Sequence, residues 1–355
     1  RICMRGLSHV QRIYDPDRIK YPMKRAGERG ENKWERISWD EAITTITDQW
    51  KGIQQQYGKA AVCFLTGAGN YALLNGALPG AGGRFQSLIG ASSINNCVDD
   101  AIVVGLDRVL SYAGDWSTTN EPADWANART FFLWGYNLTE ATIHSWHFLA
   151  DALENGAKLI VIGPVFTQSA SKARMFVPVR PGSDPALMLS MMHVLISEKL
   201  YDTEFLLVHT VAPFLVREDT GLFLRMSDLG VEPTKNGDTI VDPVAVWDPA
   251  TNAAVAVETV AEPALEGSFE VKGIRVRTAF DALKAEAAKY PPETAGKLTE
   301  VDAGTIVELA RLAAGKQVMH LGGFGPQAFT NGVMCGHGMA TLAALTGNLG
   351  VSGSS

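Results

Sequence analysis

Asn95-Asn96-Cys97-Val98-Asp99-Asp100 sets a soft thiolate and two hard carboxylates within reach of one metal ion. The same stretch reads as a helix start, because an Asp just ahead of Ala101-Ile102-Val103-Val104 can accept from the exposed N–H groups of a first turn. The other cysteines, Cys3, Cys63 and Cys335, are scattered. Cys3 reads either as a free thiol or as a thiolate ligand in need of partners, and Cys63 and Cys335 read as core thiols. His144 and His147 lie one turn apart, but zinc wants further ligands, so a surface or capping role is expected of them.

A second group of candidates consists of glycine turns. Short apolar runs end in Thr66-Gly67-Ala68-Gly69-Asn70, Gly135-Tyr136-Asn137, Gly163-Pro164, Arg180-Pro181-Gly182-Ser183-Asp184 and Gly322-Gly323-Phe324-Gly325. At the carboxyl ends of parallel strands such loops bind ligands, and helix N-termini with glycine-exposed N–H groups suit phosphates. Each glycine alone is also what a strand-to-helix turn requires. No loop carries a complete GxGxxG or GxxxxGK[ST], which disfavours an ordinary NAD or ATP site.

The elements that must position these loops follow from period and caps. Residues 1–36 show no clear period and are expected to wrap irregularly. Ser38 and Glu41 have capping-box spacing, and Ile43, Ile46, Trp50, Ile53 and Tyr57 recur at steps of three and four, so a helix is expected to run to Gly58. Buried strands are expected at 60–65, 130–134, 158–162, 176–179 and 317–321, with helices at 142–155, at 184–195 behind a Ser183 cap, and at 279–290, 303–314 and 330–345. This alternation is the grammar of a parallel α/β sheet. Asp-Pro and Asn-Gly turns between β-branched runs at 239–241, 253–257 and 269–276 mark a small β insertion over about 229–277.

Composition limits the partners. The 355 residues are 46% hydrophobic, with 31 basic against 38 acidic side chains, and no basic run offers a footprint for nucleic acid or an anionic membrane. A small molecule is the expected ligand. The sequence opens at Arg1 without an apolar leader and closes in Gly353-Ser354-Ser355, which we read as an internal piece of a longer polypeptide.

Longer motifs narrow this further. Cys3-Met4-Arg5-Gly6, His9 to Arg25, Trp34 to Ala42, Trp134 to Glu140, Gly156 to Ile162, Arg180 to Leu187 and Leu345 to Gly350 together resemble the molybdopterin oxidoreductases of the dimethyl sulfoxide reductase family. The resemblance implies two Rossmann-like α/β domains, the second inserted into the first. Residues 38–115 plus 300–355 would form one, 116–299 the other, and 1–37 the end of an iron–sulfur segment. It implies two molybdopterin guanine dinucleotides with molybdenum or tungsten, and a [4Fe–4S] cluster. Cys3 would be the last cluster thiolate and Arg5 the cation between cluster and pterin. Because the other three cluster cysteines would lie upstream, this stretch by itself is expected to hold no cluster, metal or pterin.

Site residues follow the same correspondence. Gly135, Asn137 and Glu140 match a segment near the phosphates and pterin of one dinucleotide. Arg180, Gly182 and Asp184 match a guanine-reading loop, where a carboxylate accepts from the base. Gly163, Pro164 and Thr167, and Gly323, Gly325 and Gln327, are the further cofactor-binding positions. Asp99 is the expected metal ligand, with Cys97 the alternative. Gly163-Pro164-Val165 stands where many members have Asp-Pro-Arg, and Arg174 stands where an Asp is common. The implied reaction removes oxygen from an S-oxide, N-oxide or similar acceptor. Electrons would come from a ferredoxin-like iron–sulfur subunit, with a membrane anchor subunit beyond it, in an exported or outer-face complex of a prokaryote or in the cytoplasm. Nitrate reduction, formate oxidation, hydration and a catalytically inert nucleotide-binding scaffold are the alternatives.

Overall fold

Ser38 accepts from the Glu41 N–H at 3.0 Å and so starts the first long helix where the capping spacing puts it. The computed structural model describes residues 3–65, 74, 76, 80–94, 100–110 and 121–355. These divide into two compact units, Arg1–Asp100 and Ala101–Ser355. The glycine turn 66–70 and the 95–99 stretch with Cys97 and Asp99 lie outside the described residues.

In the first unit, helix α1 (Met4–Ile13) precedes an antiparallel hairpin of β1 (Met23–Arg25) and β2 (Trp34–Arg36). The expectation of an irregular wrap is corrected there: Leu7, Val10 and Ile13 recur every third residue, a period masked by the basic residues between them. Helix α2 (Trp39–Tyr57) follows, and β3 (Cys63–Leu65) pairs in parallel with β4 (Ser92–Ile94) around helix α3 (Ala81–Ile89). Trp50, Phe64 and Phe85 pack their rings at 5.6–6.0 Å. Cys63 is exposed, not a core thiol, because its side chain falls on the outward alternation of β3.

The second unit opens with helix α4 (Ala101–Leu110). Its frame is a parallel sheet of β5 (Thr130–Trp134), β6 (Lys158–Ile162), β7 (Met175–Val177) and β15 (Val318–Gly322), in the order β15-β5-β6-β7. Helices α5 (Leu138–Ala141) and α6 (Trp146–Glu154) connect β5 to β6; the sequence had suggested one longer helix. After β7 come α7 (Asp184–Ser197) and α8 (Thr203–His209). Alternate strand residues feed opposite faces. Phe132, Trp134, Ile160, Ile162 and Val177 pack into one core, and Phe131, Leu133, Leu159, Val161 and Met319 into the other. Burial on both faces is why these strands read as continuous apolar runs.

The β insertion comprises β8 (Leu215–Arg217), β9 (Thr234–Asn236), β10 (Thr239–Val241), β11 (Ala245–Asp248), β12 (Ala253–Ala256), β13 (Ser268–Val271) and β14 (Ile274–Thr278). It begins earlier than expected, because β8 pairs with β14. The run 269–276 is two strands rather than one: Lys272 (φ 50°) and Gly273 (φ 79°) turn the chain between β13 and β14. Helices α9 (Ala279–Ala287), α10 (Pro292–Thr299) and α11 (Ala303–Ala313) return the chain to β15, and α12 (Phe324–Gln327) and α13 (Gly332–Leu345) follow it. The closing strand, grouped from sequence with residues 38–115, hydrogen-bonds instead to β5 and belongs to the sheet of residues 130–177. Among the described residues, no helix is long and apolar enough to cross a membrane.

Helices α4 and α13 cross backbone to backbone. A Cβ on Gly105 would lie 2.1 Å from the Val333 carbonyl oxygen, and one on Gly336 would lie 2.1 Å from the Ile102 oxygen. Gly336→Ala must therefore push two helices apart inside a packed core. Urea unfolding of this variant should show a loss of about 1–3 kcal/mol. An unchanged midpoint would mean that the helices do not meet at these glycines.

Candidate functional site

Parallel register brings the sequence-marked loops to one edge. Gly322, Trp134, Ile162 and Val177 occupy one row across the sheet, so the loops after β15, β5, β6 and β7 all leave at the same level. Chain order reverses between β15 and β5, which makes that junction the switch point where open α/β sheets bind ligands. A cleft of about 560 Å³ lies there, lined by Gly135, Asn137, Gly323, Gly325 and Gln327 among others. Sequence marked these positions in two stretches almost two hundred residues apart; the β15–β5 pairing unites them.

The cleft floor exists because side chains are missing from it. Gly135 sits at φ 55°, and a Cβ there would meet Pro326 Cδ at 2.4 Å. A Cβ on Gly323 would meet the Gly135 oxygen at 2.7 Å, and one on Gly325 the same oxygen at 2.8 Å. Backbone thus packs on backbone between the two loops.

The β5 and β6 loops are tied by a side-chain network. The fully buried Ser169 hydroxyl donates to Asn137 Oδ1 at 3.0 Å and accepts from the Thr139 N–H at 3.2 Å, while Thr139 Oγ1 donates to the same Asn137 oxygen at 2.8 Å. Asn137 therefore spends its carbonyl holding its own loop. Thr167 accepts from the Ala170 N–H at 3.3 Å and caps the turn that carries Ser169. Gly163 is buried beside β7, and Pro164 and Glu140 are exposed. Val165, at the last position of the expected Asp-Pro-Arg, and Phe166 beyond it are exposed too, with Phe166 edge-on to Phe176.

The loop after β7 departs from one expectation. Ser183 stands at the N-cap of α7 but donates its hydroxyl back to the Arg180 carbonyl at 2.7 Å instead of capping the helix. Asp184 heads the helix in its place. The residue is 4% exposed, and burial pushes its carboxyl above the usual carboxylate range, with its own backbone N–H as the opposing influence. Arg180 is exposed, and the Gly182 carbonyl accepts from Asn331 Nδ2 at 2.6 Å, which links this loop to the start of α13.

In the first unit, Cys3 is the half-buried N-cap of α1, and Arg5 is an exposed residue of its first turn. Backbone N–H groups, that of Gly6 foremost, hold the Cys3 thiol below its ordinary value, with the Arg5 charge a lesser contributor. Cys335 is a core thiol as expected, pushed up to about 12 by burial and secondarily by Asp184. His144 and His147 are exposed, and among the described residues no group of three or more His, Cys, Asp or Glu is placed to hold a metal.

Sequence reasoning missed His320. It is 7% exposed in β15, stacked on Phe132 at 5.0 Å, and its Nδ1 accepts from the Trp134 indole N–H at 3.2 Å. That bond assigns the proton of the neutral ring to Nε2, which has no partner. Gln327 is fixed in the same manner: Oε1 accepts from the Ile102 N–H at 3.3 Å, leaving buried Nε2 without a partner. A single polar residue inside the apolar run 318–321 was the available signal.

These residues fit a group that brings hydrogen-bond acceptors. Each unpartnered buried donor costs about 1–3 kcal/mol, and both residues line the same cleft as Gly135, Gly323 and Gly325.

Burial holds His320 neutral, lowering it to about 4. The unfolded chain keeps an ordinary value near 6.5. Between those values the unfolded state binds more protons, so the stability contributed by neutral His320 is complete above pH 6.5 and is lost as pH falls toward 4, by about 3 kcal/mol at the acid end. Urea unfolding at pH 7 and pH 4 should show a smaller acid loss in His320→Gln than in the parent. Equal losses would show that the ring is not held neutral.

Comparison with known proteins places this geometry. Residues 18–355 match the family model for molybdopterin oxidoreductases. The chain is 35% identical over 366 residues to the dimethylsulfide dehydrogenase subunit alpha of Rhodovulum sulfidophilum, covering 99% of this chain and 39% of that protein. It is 36% identical over 390 residues to the perchlorate reductase subunit alpha of Dechloromonas aromatica (strain RCB), covering 99% and 41%. The chain thus spans about two fifths of the length of these relatives. The acetylene hydratase of Pelobacter acetylenicus shares its fold, with a TM-score of 0.65 at 24% identity over 99% of this chain and 38% of that one. The parallel sheet, its switch-point cleft and the family match across residues 18–355 lead to one conclusion: the chain belongs to the molybdopterin oxidoreductase family.

Proposed function

We propose that this chain is the cofactor-cradling part of the catalytic subunit of a bis-molybdopterin guanine dinucleotide reductase that removes oxygen from an S-oxide, N-oxide or related oxyanion acceptor. The observation that carries the reading is the convergence of loops after β5, β6, β7 and β15 on one sheet edge, with the cleft at its switch point. Relatives named for dimethyl sulfoxide, chlorate and perchlorate reduction support the substrate class.

When bound, molybdenum or tungsten held by the pterins would supply the two-electron redox chemistry of a reaction in which the acceptor's oxygen atom, two electrons and two protons end as water. The protein positions and desolvates. Gly135, Gly323 and Gly325 keep the cleft floor free of side chains, and the Asn137–Ser169–Thr139 network holds the β5 loop at one height. Asp184, desolvated at the head of α7, accepts from the N1–H and amino group of a guanine, whose donors replace its lost hydration. Asp99 is the proposed metal ligand, with Cys97 the alternative, and Cys3 the last thiolate of a [4Fe–4S] cluster beside Arg5. The relatives' names as alpha subunits fit a ferredoxin-like electron-transfer subunit as partner.

The full-length protein, purified anaerobically, should carry molybdenum or tungsten and release guanine nucleotide on denaturation; absence of both overturns the reading. Asp184→Asn should cut retained guanine dinucleotide by roughly 10–100-fold, the loss of one charged base contact. The unliganded protein should be no less stable, because a desolvated carboxyl is removed. Asp99→Ala should abolish turnover and Cys97→Ala should spare it, and the reverse result assigns the metal to Cys97.

A further inference from the structure

Two buried donors in the cleft have orientations already set by the protein. The Trp134 indole N–H occupies His320 Nδ1, and the Ile102 N–H occupies Gln327 Oε1. What remains on each side chain is an N–H donor: His320 Nε2 and Gln327 Nε2, both unpartnered, in residues 7% and 5% exposed. Ser355 adds a third unpartnered group, its hydroxyl, on a residue whose carbonyl accepts from the His320 N–H at 2.9 Å. All three residues line the same cleft.

The character of the walls selects among ligand parts. No charged side chain lines the cleft among the described residues, and the walls are chiefly apolar, Ile102, Leu106, Met339 and Leu349 among them. A diphosphate buried there would leave its charges without a cation, a costly arrangement. A flat, uncharged heterocycle loses little by entering an apolar slot and needs only neutral donors along its acceptor edge. Pterin and guanine share that element, the pyrimidinone ring with its carbonyl oxygen.

We infer that His320 and Gln327 form a ring-recognition pair, whose Nε2–H groups donate to the carbonyl edge of a pyrimidinone ring seated in the β15–β5 cleft, with the diphosphate outside it. This rests on the pterin-dinucleotide reading above and adds which part of the ligand the cleft takes and which side chains hold it. The Trp134 indole N–H and the Ile102 backbone N–H are then positioning groups: each bonds one atom of its partner and so fixes which nitrogen is left as a donor.

The test uses full-length protein, with Gln327→Leu and His320→Phe as variants. Gln327→Leu removes one donor at similar volume, and His320→Phe removes the other while keeping a flat ring beside Phe132. Guanine nucleotide and pterin released from each protein on denaturation are measured per polypeptide, without reference to turnover. Parent protein should retain both, and each variant should retain at least tenfold less after gel filtration. Thermal protection of cofactor-free protein by guanosine monophosphate or by biopterin should then appear in the parent and vanish in both variants, and the protecting compound identifies the ring. Gln327→Leu keeps the Trp134–His320 pair, so it reports even where His320→Phe folds poorly. Parent protein without dinucleotide overturns the underlying reading; parent protein with dinucleotide and variants that retain it equally overturn this inference alone.

Discussion

The close approach of α4 to α13 through Gly105 and Gly336 is the constraint on which the cleft depends. Without a Cβ at either position, the Ile102 carbonyl and the Val333 carbonyl come within the space a methyl group would fill. That approach sets Ile102 against Gln327, so its N–H donates to the amide oxygen, and it makes Ile102 and Leu106 a wall of the cleft. Close packing sets the arrangement: a Cβ on Gly105 would also lie 2.9 Å from the His337 backbone nitrogen.

A second constraint runs along β15. As the outer strand next to β5, it would leave backbone groups unpaired, and the final segment pairs them. The Val318 N–H donates to Asn348 Oδ1 at 3.1 Å, and the Ser355 N–H donates to the Val318 carbonyl at 3.1 Å. Asn348 in turn donates to the Gly315 carbonyl at 2.9 Å, and Asp124 receives the Gly353 N–H at 2.7 Å. The segment 346–355, which reads from sequence as a motif without an element, is thus an edge cover for the strand that carries His320. Away from the cleft the unit is held by exposed ion pairs such as the bidentate Arg311–Glu198 contact at 2.8 and 2.9 Å, which adds little beside core burial.

Polar groups inside the sheet divide by role. Ser169 is wholly buried and satisfied, so it fixes loop geometry; His320 and Gln327 are buried and half satisfied, so they keep one donor each in reserve. Buried unpartnered donors are rare in folded proteins because they forfeit hydration without replacement. Both residues line one cleft, where the acceptors of a ligand would complete their hydrogen bonding.

Much of this was legible in the residues. Apolar runs at 130–134, 158–162 and 317–321 named the strands because strands buried on both faces lose their polar alternation, and capping at Ser38 named a helix start because hydroxyl and N–H meet three residues apart. Glycines at 135, 182, 323 and 325 flagged the loops, and the long motifs carried the family. What only the tertiary structure decided was partnership. Pairing of β15 with β5 joins distant glycines into one floor, and it moves the closing strand out of the group its sequence position suggested, because strand order depends on which edges meet in space. The turn at Lys272-Gly273 depends on two positive φ values that composition does not specify. The role of His320 depends on an indole 186 residues away in the chain, since a histidine's tautomer is set by its neighbour and not by its own sequence context.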